Sequence, residues 1–428
     1  MARCLETSPR TDMPQQLTID LPVAVRLDPR LWHGSFNGRE STLQQLSPYV
    51  GKLKSGMVRV LLQLYSQEGD WVLDPFSGSG VVPLEALLMG RRSIANDLSP
   101  YAYFLTMGKL SVPPTENEAV ARAMSALDAV DTIKHHVKLE GLPDFVRSFF
   151  HPDTLREVAA AFTVLRERKE YFLTACLMGI LHHVRPGFLS YPASHLTPYL
   201  REKKYPRDEF PGMYAYRALR PRLLAKVHRA YRRAFTGRNW SPDDYRVLCE
   251  NSMKLSLKTN SVDLILSSPP YFGALDYARD NRLRLWFLGC PDWRELDRSL
   301  TAGDQVYVPQ MKQCLHEMNR VLKPGKYCVL VLGDVERNGR SRRTAEMIGE
   351  LAESETEGAL RVQALVSDEI PDIRRSRRMT RTTKIEKVLV LEKLPPVSRA
   401  EHAQPVAEGV MVVRDRAHVK RTRQARRE

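Results

Sequence analysis

Short apolar runs that are typical of buried strands flank a glycine-rich turn early in the chain. WVLD occupies residues 71–74, an apolar helical stretch ends at Gly90, and RSIAND occupies residues 92–97. A strand, a glycine turn, a helix and a second strand in this order predict a βαβ unit with parallel strands.

Between about residues 111 and 240 the pattern changes, because strand signals almost disappear and amphipathic helices follow one another. Thr154 and Glu157 have the spacing of a capping box, which predicts a helix that starts at Thr154. Another apolar helix is predicted over residues 171–183. We call residues 111–240 the helical insert.

Strand signals return after residue 240, which indicates that the insert interrupts one α/β domain. The N-terminal part of that domain is predicted over residues 1–110 and the C-terminal part over residues 241–395, followed by a basic mobile tail over residues 396–428. The later strands are predicted at residues 262–267, 327–333, 360–367 and 385–392, with a turn at residues 323–325.

Composition narrows the functional classes. With 43% hydrophobic and 27% charged residues the chain of 428 residues can bury a core, and its net charge of +15 favours a polyanionic partner such as nucleic acid. The six cysteines form no CxxC pair, and neither a secretory leader nor a membrane span is visible. We therefore expect a globular, cytoplasmic protein without disulfides.

The first group of residues with chemical potential is DPFSGSG, residues 74–80. Glycines between a strand and a helix let the backbone approach a ligand, and Asp97 follows the next strand, where an acid can accept ribose hydroxyls. The pattern predicts a nucleotide-type cofactor; the alternative is a tight turn with a helix cap. The dinucleotide fingerprint is incomplete, because Leu84 and Glu85 stand where its third glycine is expected.

The second group is Ser268-Pro269-Pro270-Tyr271, directly after a predicted strand. Two prolines fix the backbone and remove two N–H donors. The Ser268 hydroxyl and the Pro269 carbonyl then form an acceptor-rich edge beside a flat tyrosine ring, an arrangement that suits an exocyclic amino group. Alternatively, the prolines only end the strand.

Together, DPFSGSG and SPPY resemble the cofactor-binding and catalytic motifs of the S-adenosylmethionine-dependent amino-group DNA methyltransferases. Serine at the first position of the tetrapeptide resembles the cytosine-N4 branch, since the adenine-N6 branch usually has aspartate there. The resemblance covers roughly residues 45–110 and 245–393, including SPYVGKLKSGMVRVLLQLYS and EMNRVLKPGKYCVLVLGD.

The resemblance implies a class I methyltransferase-like, doubly wound and mostly parallel seven-stranded sheet with a final antiparallel hairpin. It implies S-adenosylmethionine as cofactor, no metal, and a target base flipped out of DNA. Ser268 and Pro269 are then expected to bind the N4 amino group, on a backbone fixed by Pro270, and Tyr271 to stack on the base. The cofactor-binding residues are expected to be Tyr49, Lys52, Asp74, Pro75, Phe76, Gly78, Gly80, Asp97 and Asn251, where Asn251 replaces the acid usual in the family.

Basic residues supply candidate DNA contacts. Arg222, Lys226, Arg229 and Arg233 recur at helical spacing and predict a positive helix face suited to phosphates; the alternative is a solvated charged face. Arg374 and Arg375 and the basic tail could add non-specific attraction to DNA.

The sequence leaves several functions open. The first is a cytosine-N4 DNA methyltransferase of a restriction-modification system, with a cognate endonuclease that acts separately. The alternatives are adenine-N6 methylation of DNA, guanine-N2 methylation of RNA, and a basic DNA-binding protein with an inactive methyltransferase fold.

Overall fold

The computed structural model describes residues 27–33, 40–233, 240–270, 277–299, 306–337, 340–369 and 385–396. Up to Leu394 they belong to one compact unit, and a second unit begins at Pro395. Tyr271, Arg374 and Arg375 lie outside the described residues, and so does the predicted tail from residue 397 onward.

Seven strands form one sheet in the order β3-β2-β1-β4-β5-β9-β8, and β6 pairs with β7 in a separate hairpin. The strands are β1 (Trp71–Asp74), β2 (Arg92–Asn96), β3 (Tyr245–Leu248), β4 (Val262–Ser267), β5 (Leu322–Gly333), β6 (Val335–Arg337), β7 (Arg340–Arg342), β8 (Leu360–Glu369) and β9 (Ile385–Lys393).

Strand direction follows the sequence pattern. Five neighbouring strands of the sheet are mutually parallel, in the order β3-β2-β1-β4-β5. The parallel pair β1 and β2 confirms the predicted βαβ unit. β9 runs antiparallel to both β5 and β8, so the sheet ends in an antiparallel hairpin, as the resemblance implied. All six residues of β4 are buried, as expected for a strand covered on both faces.

Helices cover both faces of the sheet. They are α1 (Arg30–His33), α2 (Ser55–Tyr65), α3 (Val81–Leu88), α4 (Pro100–Leu110), α5 (Glu116–Ile133), α6 (Asp144–Arg147), α7 (Pro152–Glu167), α8 (Tyr171–Gly179), α9 (Leu219–Ala230), α10 (Tyr277–Phe287), α11 (Trp293–Ser299), α12 (Tyr307–Val321) and α13 (Thr344–Glu355). α2 and α3 pack on one face and α12 and α13 on the other, in two separate apolar cores. Among the described residues no helix has the length and apolar character needed to span a membrane.

The helical insert joins the domain through a third apolar core, which contains residues of α4, α5, α7, α8, α9 and α10. α4 and α8 approach closely because Gly108 has no side chain: a Cβ atom there would lie 2.5 Å from the Ala175 Cβ atom. The insert is therefore packed against the α/β core along a close helix–helix contact.

Two predicted boundaries were wrong. α7 starts at Pro152, where the His151 side chain accepts from the Asp153 N–H, and Thr154 lies inside the helix with its hydroxyl on the Arg217 carbonyl at 3.1 Å. This buried tertiary partner accounts for the threonine better than the predicted cap. The predicted turn at residues 323–325 is present, with Gly325 at φ +72°, but it interrupts β5, which begins at Leu322 and not at residue 327.

Candidate active site

The two sequence motifs meet at the carboxyl edge of the parallel strands. Asp74 ends β1, Asp97 follows β2, and Ser268 follows β4. These strands are neighbours in the sheet, so the three side chains come together although they are far apart in sequence. They line one cavity of about 820 Å³, a volume that includes its open mouth.

The glycine turn is shaped by left-handed backbone conformations. Gly78 has φ +49° and Gly80 has φ +71°, values that side-chain-bearing residues rarely adopt. A Cβ atom on Gly80 would lie 2.6 Å from the Thr106 hydroxyl, and one on Gly78 would lie 3.0 Å from the Tyr49 ring. Gly78 therefore lets the turn and the Tyr49 ring form one wall of the cavity.

Two buried carboxylates face the cavity. Burial raises the pKa of Asp74 to about 7, although hydrogen bonds from the Ser267 hydroxyl (2.6 Å) and the Phe76 N–H (3.3 Å) oppose the shift. Burial likewise raises the pKa of Asp97 to about 6, against bonds from the Ser99 and Gly78 N–H groups, both 2.8 Å. A ligand that brings positive charge or hydroxyl donors would favour the ionised carboxylates.

The turn also holds polar atoms that fit a ligand. The Ser77 and Ser79 hydroxyls are buried in the cavity wall and have no hydrogen-bond partner among the described residues. Buried hydroxyls are normally satisfied, so these two are complete only when a ligand or water occupies the cavity. The residues present therefore fit a polar, nucleotide-sized cofactor.

Most of the predicted cofactor residues contribute side chains or backbone to this cavity. Its walls include Tyr49, Lys52, Asp74, Phe76, Gly78, Asp97 and Asn251. Pro75 and Gly80 do not line it: the Pro75 carbonyl accepts from the Ser252 hydroxyl at 2.7 Å, and Gly80 is the N-cap of α3. The Asn251 carboxamide oxygen accepts from the Met253 N–H at 3.0 Å.

The described part of the predicted catalytic tetrapeptide, residues 268–270, borders the same cavity. Ser268 and Pro270 line it, and Pro269 is buried beside them. The Ser268 hydroxyl donates to the Val331 carbonyl of β5 at 3.0 Å. Because its single proton is used in that bond, the oxygen presents lone pairs, which makes it an acceptor for a further group.

Part of the cavity lining comes from what we call the lining segment, residues 41–53, which includes a 3₁₀ helix at Thr42–Gln45. Tyr49 of this segment stacks on Tyr101 of α4, with ring centroids 5.9 Å apart, and lies 6.4 Å from the Tyr277 ring of α10. Tyr277, which the sequence did not single out, also lines the cavity.

The helical insert holds the lining segment in place. Lys226 of α9 donates to the Gln45 carbonyl at 2.9 Å, and the Thr42 hydroxyl donates to the Ala230 carbonyl at 2.5 Å. Gly179, the last residue of α8, lies so close to Leu46 that a Cβ atom on Gly179 would be 1.8 Å from the Leu46 carbonyl oxygen. The insert thus fixes the backbone that carries Tyr49 and Lys52.

These contacts correct the predicted positive face of α9. Lys226 is only 7% exposed, and burial lowers its pKa to about 8, so it is committed to the lining segment. Arg222 donates to the Pro186 and Ala218 carbonyls. Arg229 is exposed, and Arg233 follows the end of the helix. The face is therefore interrupted at its centre and does not form one continuous phosphate-binding stripe.

A buried polar network under the lining segment was not predicted. The Gln44 amide donates to Glu85 at 2.9 Å and accepts from Lys109 at 2.8 Å, while Arg59 donates to the other Glu85 oxygen at 2.7 Å. Glu85 is fully buried and Lys109 is 1% exposed. The signal in the sequence was a charged residue within each of two apolar helices, at residues 81–88 and 100–110.

The described residues bring no three His, Cys, Asp or Glu side chains together as a metal site. Of the remaining predicted residues, Tyr271, Arg374 and Arg375 lie outside the described part. The described ends of the connection that contains both arginines, Glu369 and Ile385, pair with each other. Ile385 is next to Glu386, which pairs with Gly333 at the carboxyl end of β5. That connection thus starts and ends at the cavity edge of the sheet.

The strand order, the glycine turn and the acid after β2 define a class I methyltransferase-like α/β fold. Residues 32–107 match the model of the N6/N4 family described as DNA methylase. A stretch of 72 residues is 33% identical to the type II methyltransferase M.MjaII of Methanocaldococcus jannaschii, covering 17% of this chain and 14% of that protein. Residues 32–107 are therefore similar to the N6/N4 DNA methylase family, and neither match specifies the N4 or the N6 branch.

Solved structures give weaker likenesses. TrmN from Thermus thermophilus is 12% identical, with 82% of this chain and 52% of that chain covered and a TM-score of 0.30. A S-adenosylmethionine-dependent methyltransferase from Methanosarcina mazei is 13% identical, covering 78% and 97%, also with a TM-score of 0.30. Because both scores are below 0.5, the fold assignment depends on the strand order itself.

Proposed function

We propose that the protein is a DNA methyltransferase that transfers a methyl group from S-adenosylmethionine to the N4 amino group of cytosine, after the base is flipped out of the duplex. One observation carries the proposal: the glycine turn of the DNA methylase segment and the Ser268-Pro269-Pro270 edge line one cavity. A cofactor bound at the glycine turn and a base held at the Ser268 edge would therefore meet in the same cavity.

The cofactor supplies an activated methyl group on a sulfonium. Asp97 would hold the ribose hydroxyls, and the Ser77 and Ser79 hydroxyls would gain the partners that they lack among the described residues. Tyr49, packed on the glycine turn, would cover the methionine end together with Lys52. Asp74 places a carboxylate that favours positive charge in the same cavity.

The catalytic edge acts by orientation. The lone pair of a cytosine amino group is delocalised into the ring and is a poor nucleophile. With its proton on the Val331 carbonyl, Ser268 accepts one amino N–H, and the Pro269 carbonyl accepts the other. Two acceptors aimed in this way would favour a pyramidal nitrogen, whose lone pair would attack the methyl carbon as the C–S bond breaks. The sulfur would keep that electron pair and leave as a neutral thioether, and the methylated nitrogen would lose one proton to solvent, with no covalent enzyme intermediate.

The N4 assignment depends on Ser268 at the position where N6 enzymes usually have aspartate. A restriction-modification role, with a separate endonuclease, is part of the same proposal. Adenine-N6 methylation uses the same cavity and differs only in the base that the edge accepts.

Long-read sequencing of DNA from a methylation-free host that expresses this chain tests the proposal. We expect N4-methylcytosine in one sequence context, and none with Ser268→Ala. Ser354→Ala, an exposed serine on α13, is the matched control and should leave the pattern unchanged. N6-methyladenine would overturn the base assignment. Methyl incorporation into tRNA but not duplex DNA would overturn the DNA substrate and favour an RNA guanine-N2 enzyme.

A further inference from the structure

A loop of the helical insert, residues 193–200, is built as a rigid unit. Ala193 and Leu200 form an antiparallel bridge, and the Ser194 N–H donates to the Tyr199 carbonyl at 2.9 Å. The Arg201 N–H donates to the Pro192 carbonyl at 2.8 Å, which closes the base of the loop. His182, fully buried, contacts the Ser194 carbonyl at 2.7 Å through Nδ1. A loop tied at so many points presents its tip in one conformation.

The loop is attached to α10, the helix that follows the catalytic edge in the chain. The Thr197 hydroxyl donates to the buried Asp280 carboxylate at 2.9 Å, and the Arg282 guanidinium donates to the Pro198 carbonyl. Both contacts hold the tip of the loop on the first half of the helix.

This attachment joins the tip of the loop to a helix that lines the cavity. Tyr277 begins α10 and lines the cavity, and Asp280 lies three residues further, about 4.5 Å along the helix axis. Tyr199 is two residues from Thr197, at most about 7 Å along the chain. Tyr199 is thus connected through Thr197 and Asp280 to a helix whose first residue lines the cavity.

The tip exposes an aromatic ring beside positive charge. Tyr199 is 50% exposed, one of the two most exposed large hydrophobic side chains among the described residues. Lys203 is exposed and has no ion-pair partner in the part of the chain that the structure describes, and Arg185 is exposed nearby in sequence. An exposed ring on a tied loop, with an exposed lysine four residues further along the chain, suits a partner with both flat faces and phosphates.

We propose that residues 193–204 are a DNA-contacting element, in which Tyr199 stacks on an unstacked base and Lys203 contacts a phosphate. The inference rests on the proposed function and goes beyond it, because it moves the DNA-contacting surface from α9 to this loop. The Thr197–Asp280 contact then links DNA contact to the helix that follows the catalytic edge.

Binding of short fluorescein-labelled duplexes, measured by anisotropy, tests this inference. One duplex is fully paired and the other has a single mismatched pair, whose bases unstack at low cost. The wild type should bind the mismatched duplex more tightly, and Tyr199→Ala should remove that preference and weaken binding about tenfold. Tyr199→Phe should retain both, since stacking needs the ring and not the hydroxyl. Lys203→Ala should lower the salt-dependence slope by about 1 on either duplex.

Tyr216→Ala is the matched control, because Tyr216 is 45% exposed in the same insert and its hydroxyl donates to Glu157 at 2.6 Å. It should bind both duplexes as the wild type does. Three results would each overturn the inference: Tyr199→Ala binds both duplexes as the wild type does, Tyr216→Ala weakens duplex binding as much as Tyr199→Ala, or Tyr199→Phe loses the preference for the mismatched duplex. Calorimetry with S-adenosylmethionine separates the two proposals. A wild type that binds the cofactor and methylates DNA, with an unaffected Tyr199→Ala, defeats only this inference; a wild type that binds no duplex defeats both.

Discussion

The sheet edge and the helical insert contribute to the same cavity in different ways. The edge presents two carboxylates on neighbouring strands and, after β4, the turn that carries Ser268; in the proposed function it supplies the chemistry. The insert supplies position, since Lys226, Ala230 and Gly179 hold the backbone of the lining segment that carries Tyr49. The insert is therefore part of the site's framework, although it lies between the motifs in sequence. Changes at the edge should affect the methyl-transfer rate, and changes in the insert should affect cofactor affinity.

The largest effect is expected at the edge. Ser268→Ala removes the acceptor that the Val331 bond orients, and we expect methyl transfer to fall by at least about a hundredfold, comparable to loss of one preorganised polar contact in other enzymes. Cofactor affinity, measured by calorimetry, should change little. A parallel loss of cofactor binding would contradict the role given to Ser268.

The next effect is expected where the insert meets the lining segment. Gly179→Ala forces a Cβ atom to within 1.8 Å of the Leu46 carbonyl oxygen, so the segment must move. Overpacking of this kind costs about 1–3 kcal/mol of unfolding free energy or more, and cofactor affinity should fall as well. Thermal unfolding and calorimetry measure both. Gly187→Ala, with no atom within 4 Å of its new Cβ, is the control and should match the wild type.

Lys226→Met is a milder change, which separates an effect on the position of the lining segment from an effect on the free energy of unfolding. Lys226→Met removes the bond to the Gln45 carbonyl and also the cost of burying a charge, so the free energy of unfolding should change by less than about 1 kcal/mol. We expect cofactor affinity to fall by roughly tenfold, the value of about one buried charged hydrogen bond. Arg229→Met, on an exposed position of the same helix, should alter neither quantity. Unchanged affinity in Lys226→Met would show that the insert does not set the position of the lining segment.

The smallest effect concerns pH. The folded-state pKa values of Asp74 and Asp97 are about 7 and 6, both above their values in an unfolded chain. Protonation of these two carboxylates therefore stabilises the ligand-free fold as pH falls through this range toward 4. It weakens the binding of a cationic ligand, because that ligand needs the carboxylates ionised. We expect cofactor affinity to fall severalfold between pH 7.5 and about 5.5, while the melting temperature of the free protein rises or holds. Asp97→Asn should weaken cofactor binding at neutral pH and flatten the profile below pH 6. Affinity that rises on acidification would contradict this assignment.

Much of the fold followed from local pattern. The runs at residues 71–74 and 262–267 are strands with the predicted bounds, because a buried parallel strand needs a short, continuous apolar run. Helix ends were less predictable. Thr154 and Glu157 matched a capping box, but both side chains bind groups of residues 216–219, a long-range partnership that no local pattern records.

The sequence by itself determined the α/β class, the glycine turn and the acceptor edge, because each depends on neighbouring residues. Only the tertiary structure decided the role of Lys226. Helical spacing placed it on a positive face, but the packing of α9 against the lining segment buried it and directed its ammonium to a carbonyl. The physical reason is that a local pattern states which residues share a helix face, whereas the cost of desolvation and the available partners are set by the element that packs against that face.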